Sequence, residues 1–178
     1  MTVPWTEAWE EAIASCPVDV PLHITLEFQH PQFVEAGLPV APRVTLGAVD
    51  QVFGIEAGAV MDAGEMVTFR ACAFSAEPPE VGEGKVPSCK ISVDNVSRWL
   101  TPLLNAAVLV RADLWLVYRE YRDDDRSEPA YGPVRFVLRD VTVNSGVMEG
   151  TATLKDLANL AVPSLVYTRK AFSSLVAG

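Results

Sequence analysis

The sequence predicts a mainly β, antiparallel barrel- or sandwich-type domain with two short helices, extended loops and a C-terminal arm. Apolar and polar residues alternate over 22–28, which is the period of a strand. Two long β-favouring runs, 108–121 and 134–144, are joined by a polar connection and followed by a returning strand over 147–154, which predicts a three-stranded meander. The 178 residues, 49% of them apolar, suffice for one core, so a single domain over 1–178 is expected.

The remaining strands are read from apolar composition and from the turn residues between them. The alternation over 22–28 predicts a strand with one face in water. The proline-rich run 29–43 is interpreted as a long excursion, a kind of segment that is often functional. Strands are expected again over 44–55 and 90–93. The run 66–74 is apolar on both faces, which indicates a central strand covered on both sides.

Two helices are predicted. Over 6–16 apolar residues recur at helical spacing and Pro17 ends the run, which indicates a short N-terminal docking helix. Asp94 is expected to cap a second helix, whose apolar stripe extends over 96–107. A kink or a break is expected at Pro102, because proline removes a backbone hydrogen bond inside a helix.

The charge balance argues against a nucleic-acid-binding protein. Twenty-three acids against 14 lysines and arginines give a net charge of −9, which repels phosphate backbones. A surface past which DNA must slide is still compatible with this charge. No apolar run approaches the ~20 residues of a membrane span, and the N-terminus lacks the basic and apolar blocks of a signal peptide, so neither is expected.

Catalytic and metal sites find little support in the sequence. The three cysteines are odd in number and widely spaced, so zinc, iron–sulfur and other cofactors are not predicted. A thiol nucleophile with an imidazole base remains an alternative, using Cys16 or Cys89 with His23 or His30. The acidic run 123–125 lacks the spacing of a calcium loop and is interpreted as a solvated hairpin tip. We expect no enzyme activity.

The C-terminal arm, 161–178, is basic and aromatic in an otherwise acidic protein. Its run 167–172 is expected to lie against an acidic surface of its own domain or of a neighbouring subunit. The candidate interface residues are Tyr167, Arg169, Lys170 and Phe172.

Four stretches of the chain carry a resemblance to a known family. They are the strand 67–74, the acidic Pro-Gly connection 77–83, the run 91–96 and the closing 167–172. Together they resemble a phage and prophage family whose members are labelled minor tail or tail-assembly proteins. That family is in turn similar to the N-terminal hub part of the lambda-type tail-tip protein L.

The resemblance implies a structural hub subunit of a long non-contractile tail, and no enzyme. It implies a virion protein, assembled in the bacterial host cytoplasm, that forms a trimeric ring between the distal tail protein and the central fibre or receptor-binding hub. The ring would surround the DNA conduit, with the tape-measure protein as a further partner. The lambda-type protein has a cysteine-rich cluster domain that this chain lacks, so no iron–sulfur cofactor is expected.

A ring around a DNA conduit benefits from acids that face its lumen, because binding to the passing genome would stall ejection. Two acidic segments are therefore candidates for lumen-facing loops. Their residues are Glu77, Glu80, Glu83, Asp123, Asp124 and Asp125.

Two alternatives from other classes remain open. One is a thiol-dependent cell-wall hydrolase carried in the tail. The other is a module that binds a host-surface sugar or protein through a sheet face and the excursion 29–43.

Overall fold

The structure is a computed structural model that describes residues 21–76, 88–94, 99–144 and 146–154. These ranges contain eleven strands and one helix, in the order β1 (Leu22–Gln29), β2 (Val34–Glu35), β3 (Leu38–Pro39), β4 (Arg43–Leu46), β5 (Gln51–Gly54), β6 (Met66–Cys72), β7 (Phe74–Ala76), β8 (Ser88–Asp94), α1 (Leu100–Val108), β9 (Leu114–Arg122), β10 (Tyr131–Val143) and β11 (Val147–Leu154). The predicted helix over 6–16 and the arm over 161–178 lie outside the described residues.

The prediction of a mainly β, barrel- or sandwich-type domain is confirmed. Nine strands form one sheet in the order β5-β6-β4-β1-β9-β10-β11-β8-β7, and β2 pairs with β3 separately. The predicted meander is present as β9, β10 and β11. The sheet is mixed and not wholly antiparallel, because β4 and β6 run parallel.

The large sheet closes on itself through one continuous stretch of chain. Strands β6 and β7 are separated only by Ala73, yet β6 pairs with β4 and β7 pairs with β8, towards opposite ends of the strand order. The Asp94 N–H donates to the Ala73 carbonyl over 2.8 Å and continues the pairing across the break. The expected single strand over 66–74 is therefore two strands, and its centre is a corner of the closed sheet.

Coverage of β6 on both sides was a wrong prediction. Phe69 is buried, but Thr68 and Arg70 on the alternate positions are exposed. Apolar and polar residues are mixed along this strand because one of its faces meets solvent while the other meets Phe53 and Tyr121.

The main core fills the closed sheet and extends to the helix. Side chains from β1, β4, β8, β9, β10 and β11 meet those of α1 there, including Leu26, Phe28, Val44, Ile91, Val93, Leu100, Leu103, Leu104, Leu114, Leu116, Leu138 and Met148. A second, smaller cluster lies on the other face of β9, where Phe53 stacks on Tyr121 with ring centroids 4.5 Å apart and Ile55 and Phe69 complete the group. Burial of these aliphatic and aromatic side chains supplies the main driving force for folding.

The helix begins later than the sequence predicts. It starts at Leu100, and Asp94, the expected cap, instead ends β8. Trp99 occupies the N-cap position in helical conformation without a side-chain capping bond. Pro102 causes no break because it lies in the first turn, where a backbone N–H has no intrahelical acceptor to lose.

The excursion 29–43 contains a short hairpin, β2–β3. Its turn residues Ala36 and Gly37 both have positive φ, 50° and 83°, as two-residue hairpin turns of the primed type require. Leu38 on this hairpin is 69% exposed. The predicted strand over 44–55 is interrupted at residues 47–50, which separate β4 from β5.

The prediction that one face of β1 lies in water was wrong. Thr25 and Glu27, the polar members of the alternation, are fully buried. The segment 51–65, which comprises β5 and the loop after it, lies across this face of β1 and β9. The alternation is therefore that of a strand between two layers, one of which is polar.

Candidate functional site

A buried ionic network occupies the space between β1 and the covering segment 51–65. At its centre the Glu27 carboxylate is completely buried. Its Oε2 accepts from Arg119 Nη1 at 3.0 Å and from Arg43 Nε at 2.9 Å, and its Oε1 accepts from Gln29. Both oxygens of this acid are thus satisfied by donors from β1, β4 and β9.

The network extends outward from the two arginines. Arg119 donates through Nε and Nη2 to both oxygens of Glu56, at 2.7 and 2.8 Å, in a bidentate pair. Arg43 Nη2 donates to Asp62 Oδ2 at 2.7 Å. Burial alone would lower the pKa of Arg119, but the carboxylates of Glu56 and Glu27 outweigh it and raise the pKa. The guanidinium therefore stays charged and holds the segment 51–65 onto the sheet.

A buried hydroxyl supports the same attachment. Tyr121 Oη donates to the Gly54 carbonyl at 2.8 Å, and burial raises the pKa of Tyr121 well above its usual value. Gly54 also approaches the 122–130 loop closely, because its N–H donates to the Arg126 carbonyl at 2.8 Å. The network and these backbone contacts hold together β1, the segment 51–65 and the 122–130 loop, which are distant from one another in sequence.

One pattern in the sequence indicates this network. On β9, Arg119 falls on the same face as Trp115, Val117 and Tyr121, so its neighbours at alternate positions are all large and apolar. A cation in such a row is buried unless the strand lies at an edge, and a buried arginine requires an acid.

The acidic hairpin tip, 123–125, is exposed but its charges are paired locally. Asp123 Oδ1 lies 2.8 Å from His23 Nε2 and also accepts from Arg126, and Asp124 Oδ2 accepts from Arg122 Nη2 at 2.6 Å. Asp125 Oδ1 accepts from the Ser127 hydroxyl at 2.6 Å. These hydrogen bonds lower the pKa of all three aspartates.

The tip also does not project from the fold. The Asp123 N–H donates to the Pro21 carbonyl at 3.0 Å, and the following residues contact Gly54 of β5. The prediction of a solvated tip is confirmed, because residues 123–125 are exposed. A hairpin with a projecting tip was a wrong prediction, because backbone and side-chain hydrogen bonds hold the tip against β1 and β5. Seven of the ten candidate site residues, Glu77, Glu80, Glu83, Tyr167, Arg169, Lys170 and Phe172, lie outside the described residues.

The cysteines and histidines considered as a catalytic pair have other neighbours where they are described. Cys72 Sγ contacts the Asp94 carbonyl at 3.1 Å, and Cys89 lies in the main core. Burial raises the pKa of both thiols, and the charge of Asp94 adds to the effect at Cys72. His23 pairs with Asp123. Cys16 lies outside the described residues.

A mostly apolar cavity of about 400 Å³ opens beside the C-terminal end of α1. Its lining comes from α1, from the start of β9 and from the end of β10, and includes Leu104, Val108, Leu114, Val141 and Val143. The His30 side chain, 8% exposed, also lines it. Its Nδ1 accepts from the Gln32 N–H at 3.1 Å, while Nε2 is buried without a hydrogen-bond partner.

Three consecutive aliphatic residues stand exposed at the rim of this cavity. Val108 and Leu109 are 83% and 85% exposed, and Val110 is 39% exposed. Hydrogen bonds hold them in a defined turn, with the Leu109 N–H donating to Ala106 and the Val110 N–H to Ala107. Contiguous exposed apolar surface of this kind, next to an apolar cavity, is typical of an interaction site.

A polar groove of about 380 Å³ lies elsewhere, on strands β8, β10 and β11. Lys90, Asp140, Thr142 and Glu149 contribute to its lining. Asp140 has a positive φ of 52° at a register shift between β10 and β11, which redirects the strand at this point.

Neither a metal centre nor a membrane span is found in the described ranges. Within 21–76, 88–94, 99–144 and 146–154, no group of three or more histidine, cysteine or acidic side chains is arranged to hold a metal ion. In the same part of the chain, no helix has the length and apolar character needed to cross a membrane.

Comparison with known families gives one match. A family model described as a domain of unknown function, DUF1833, matches residues 8–167, which is most of the chain. No curated protein matches it.

Proposed function

We propose that this chain, which belongs to the DUF1833 family, is a structural component of the tail tip of a long-tailed phage. In this role it forms a ring-shaped hub that connects the distal tail to the central fibre or receptor-binding hub and surrounds the DNA conduit. The proposal extends the resemblance of the strand 67–74 and the arm 167–172 to phage minor tail proteins.

The observation that carries the proposal is the exposed aliphatic stretch 108–110 with the apolar cavity beside it. Burying aliphatic side chains stabilises an assembly by roughly 1.5–3 kcal/mol each, whereas leaving them in water forgoes that energy. A subunit whose function is to be built into a larger particle gains from such a surface, because association covers it.

The buried network supports the same role by making the frame rigid. Glu27, Arg119 and Glu56 tie the covering segment to the closed sheet, so the surface that neighbours meet has a defined shape. Partners with fixed surfaces lose less conformational entropy when they associate.

The proposed assembly is a trimeric ring with the distal tail protein, the central fibre or other hub proteins and the tape-measure protein as neighbours. The net charge of −9 suits a lumen along which DNA moves without binding. Because Asp123 and Asp124 pair with arginines, the hairpin tip adds less negative charge to the proposed lumen. The acids Glu77, Glu80 and Glu83 are therefore the stronger candidates for a lumen-facing loop.

A deletion in a phage that encodes this chain tests the proposal. The variant that lacks residues 166–178 is expected to fold but to be missing from purified tails, because the arm supplies contacts to neighbours. A matched variant that carries Arg169→Gln and Lys170→Gln separates loss of charge from loss of the arm. Normal tails that contain the truncated chain would contradict the role of the arm, and normal infectious tails without any of the chain would contradict the proposed function.

A second candidate function, a module that binds a host-surface sugar, is favoured by the polar groove on β8, β10 and β11. Lys90, Asp140 and Glu149 bring hydrogen-bonding groups of both charges to one open groove. Under this alternative the purified chain adsorbs to host cells and the Asp140→Ala, Glu149→Ala variant does not. Equal adsorption by both, or none by either, would reject it.

A further inference from the structure

Two cationic side chains on the outer face of the large sheet lie in one row with a hydroxyl between them. Arg139 of β10 is in register with Thr151 of β11, which is in register with Lys90 of β8. Their sequence neighbours Leu138 and Ile91 belong to the main core, so this row faces outward. Neighbouring strands lie about 4.8 Å apart, which separates the Cα atoms of the two cations by roughly 10 Å. Side chains of this length can contact one ligand group placed over the central strand.

Neither cation of this row is neutralised by a neighbouring acid. Ion pairs within the described residues hold Arg43, Arg119 and Arg122, among others. In that part of the chain, Arg139 and Lys90 form no ion pair, and both are exposed. A net charge of −9 repels anions from most of the surface, so two adjacent cations without counter-charges mark a place where an anion is attracted.

A β-bulge keeps further polar groups next to Arg139 on the same face. Between Arg139 and Thr142 the register of β10 against β11 shifts by one residue. Asp140 lies in this shift with a positive φ of 52°, a conformation that residues other than glycine seldom adopt. Val141 then packs against the main core, while Arg139, Asp140 and Thr142 are all exposed. The bulge thus holds a cation, an acid and a hydroxyl together at the surface.

The groove beside the row supplies carboxylates and hydroxyls. Asp140, Glu149, Thr142 and Thr151 line its volume of about 380 Å³, a size typical of small-molecule sites. Asp140 and Glu149 would repel a bare anion. A sugar that carries an anionic group suits both charges, because its hydroxyls donate to the carboxylates while its oxyanion accepts from the cations.

We propose that this groove binds an acidic sugar, with its carboxylate or phosphate group between Arg139 and Lys90 and its hydroxyls on Asp140 and Glu149. The inference rests on the sugar-binding candidate described above and narrows it to one chemical class. A neutral sugar gains no charge-assisted hydrogen bond from the two cations, and inorganic phosphate gains nothing from the two carboxylates. The acidic sugar is the ligand that uses all four side chains.

Titration of the isotope-labelled full chain, followed by NMR, tests the proposal. The ligands are glucose, glucuronate and glucose 6-phosphate, which share one ring and differ in a single substituent, together with inorganic phosphate. The amide signals of 139–142 and 149–151 are expected to shift. At least one acidic sugar is expected to bind about ten-fold more tightly than both glucose and inorganic phosphate. The tighter of the two acidic sugars identifies the preferred group as a carboxylate or a phosphate.

The other outcomes of the titration separate this inference from the sugar-binding candidate. Glucose that binds as tightly as the acidic sugars would overturn the inference and leave the sugar-binding candidate standing. Inorganic phosphate that binds as tightly as glucose 6-phosphate would overturn the inference, because the sugar ring would then contribute nothing. If none of the ligands shifts the groove signals, both the inference and the candidate are overturned.

Variants that remove one charge test which side chains hold the anion. Lys90→Gln and Arg139→Gln are each expected to weaken binding of the tighter acidic sugar about ten-fold and to leave glucose binding unchanged. Arg70→Gln is the matched control, since it removes the same charge from an exposed position of β6 outside the groove. Circular dichroism establishes that all three variants are folded. Equal affinity of the three folded variants for the acidic sugar would overturn the proposal.

Discussion

Arg119 Nη1 lies 3.0 Å from Glu27 Oε2 on the neighbouring strand, and the side chains of the two residues are 1% and 0% exposed. Such a pair contributes little net stability when compared with apolar residues of the same volume, because desolvation offsets the attraction. Removing only one partner is different, since the other charge remains buried without compensation.

Glu27→Gln is therefore expected to lower the free energy of unfolding by about 3–5 kcal/mol, since the Arg119 and Arg43 guanidinium groups lose their shared carboxylate. Asp124→Asn is the matched control, an acid in an exposed pair whose loss is expected to lower stability much less than the loss of Glu27. Urea unfolding followed by fluorescence measures both. A change at Glu27 no larger than that at Asp124 would show that the network does not hold the covering segment.

Gly54 offers a test of the close approach between β5 and the 122–130 loop. A Cβ at this position would lie 1.8 Å from the Ser127 carbonyl oxygen, so Gly54→Ala must displace backbone and is expected to cost about 2–3 kcal/mol. Gly58→Ala meets open space and is expected to change stability by less than about 0.5 kcal/mol. Similar unfolding midpoints for the two variants would place the loop elsewhere.

The lowered pKa values of the aspartates at the hairpin tip predict that stability depends on pH. Because hydrogen bonds lower their pKa in the folded protein, their contribution is present above the unfolded pKa of ~3.9 and is lost as the pH falls through the lower folded values. The Asp123→Asn, Asp124→Asn variant is expected to lose less stability between pH ~5 and ~2 than the parent. If the free energy of unfolding of the two proteins falls equally as the pH is lowered, these aspartates are not the source of the acid sensitivity.

The cysteines provide a test against the hydrolase alternative. Since burial raises the pKa of Cys89, its thiolate is scarce at neutral pH, and alkylation in the folded protein is expected to be about ten-fold or more slower than in urea. Mass spectrometry follows the modification. Alkylation of the cysteines that react in the folded protein is expected to leave infectivity unchanged. Loss of cell-wall hydrolysis and of infection in proportion to thiol modification would instead support the hydrolase.

Local patterns predicted most strands well, because alternation and turn residues act over short distances. The strand over 22–28 and the returning strand over 147–154 are present close to the predicted bounds. The predicted strand over 108–121 begins only at Leu114, because α1 extends to Val108. The burial of Glu27 could not be derived this way, since it depends on a segment that lies 24 or more residues further along the chain.

The corner at Ala73 escaped prediction for a related reason. Residues 66–76 form an uninterrupted β-favouring run, and only the pairing of its two halves with β4 and β8 divides it. The start of α1 was displaced from Asp94 to Leu100 because pairing with β11 keeps Asp94 in β8. The cavity at His30 likewise joins residues of α1, β9, β10 and two loops, so no single sequence window contains it.

Cryo-electron microscopy of tail tips from a phage that encodes this chain tests the central claim most directly. The account predicts three copies in a ring around the DNA channel, with the surface at 108–110 covered by protein and the 77–83 connection facing the lumen. Purified, infectious tails in which neither density nor mass spectrometry finds the chain would contradict it.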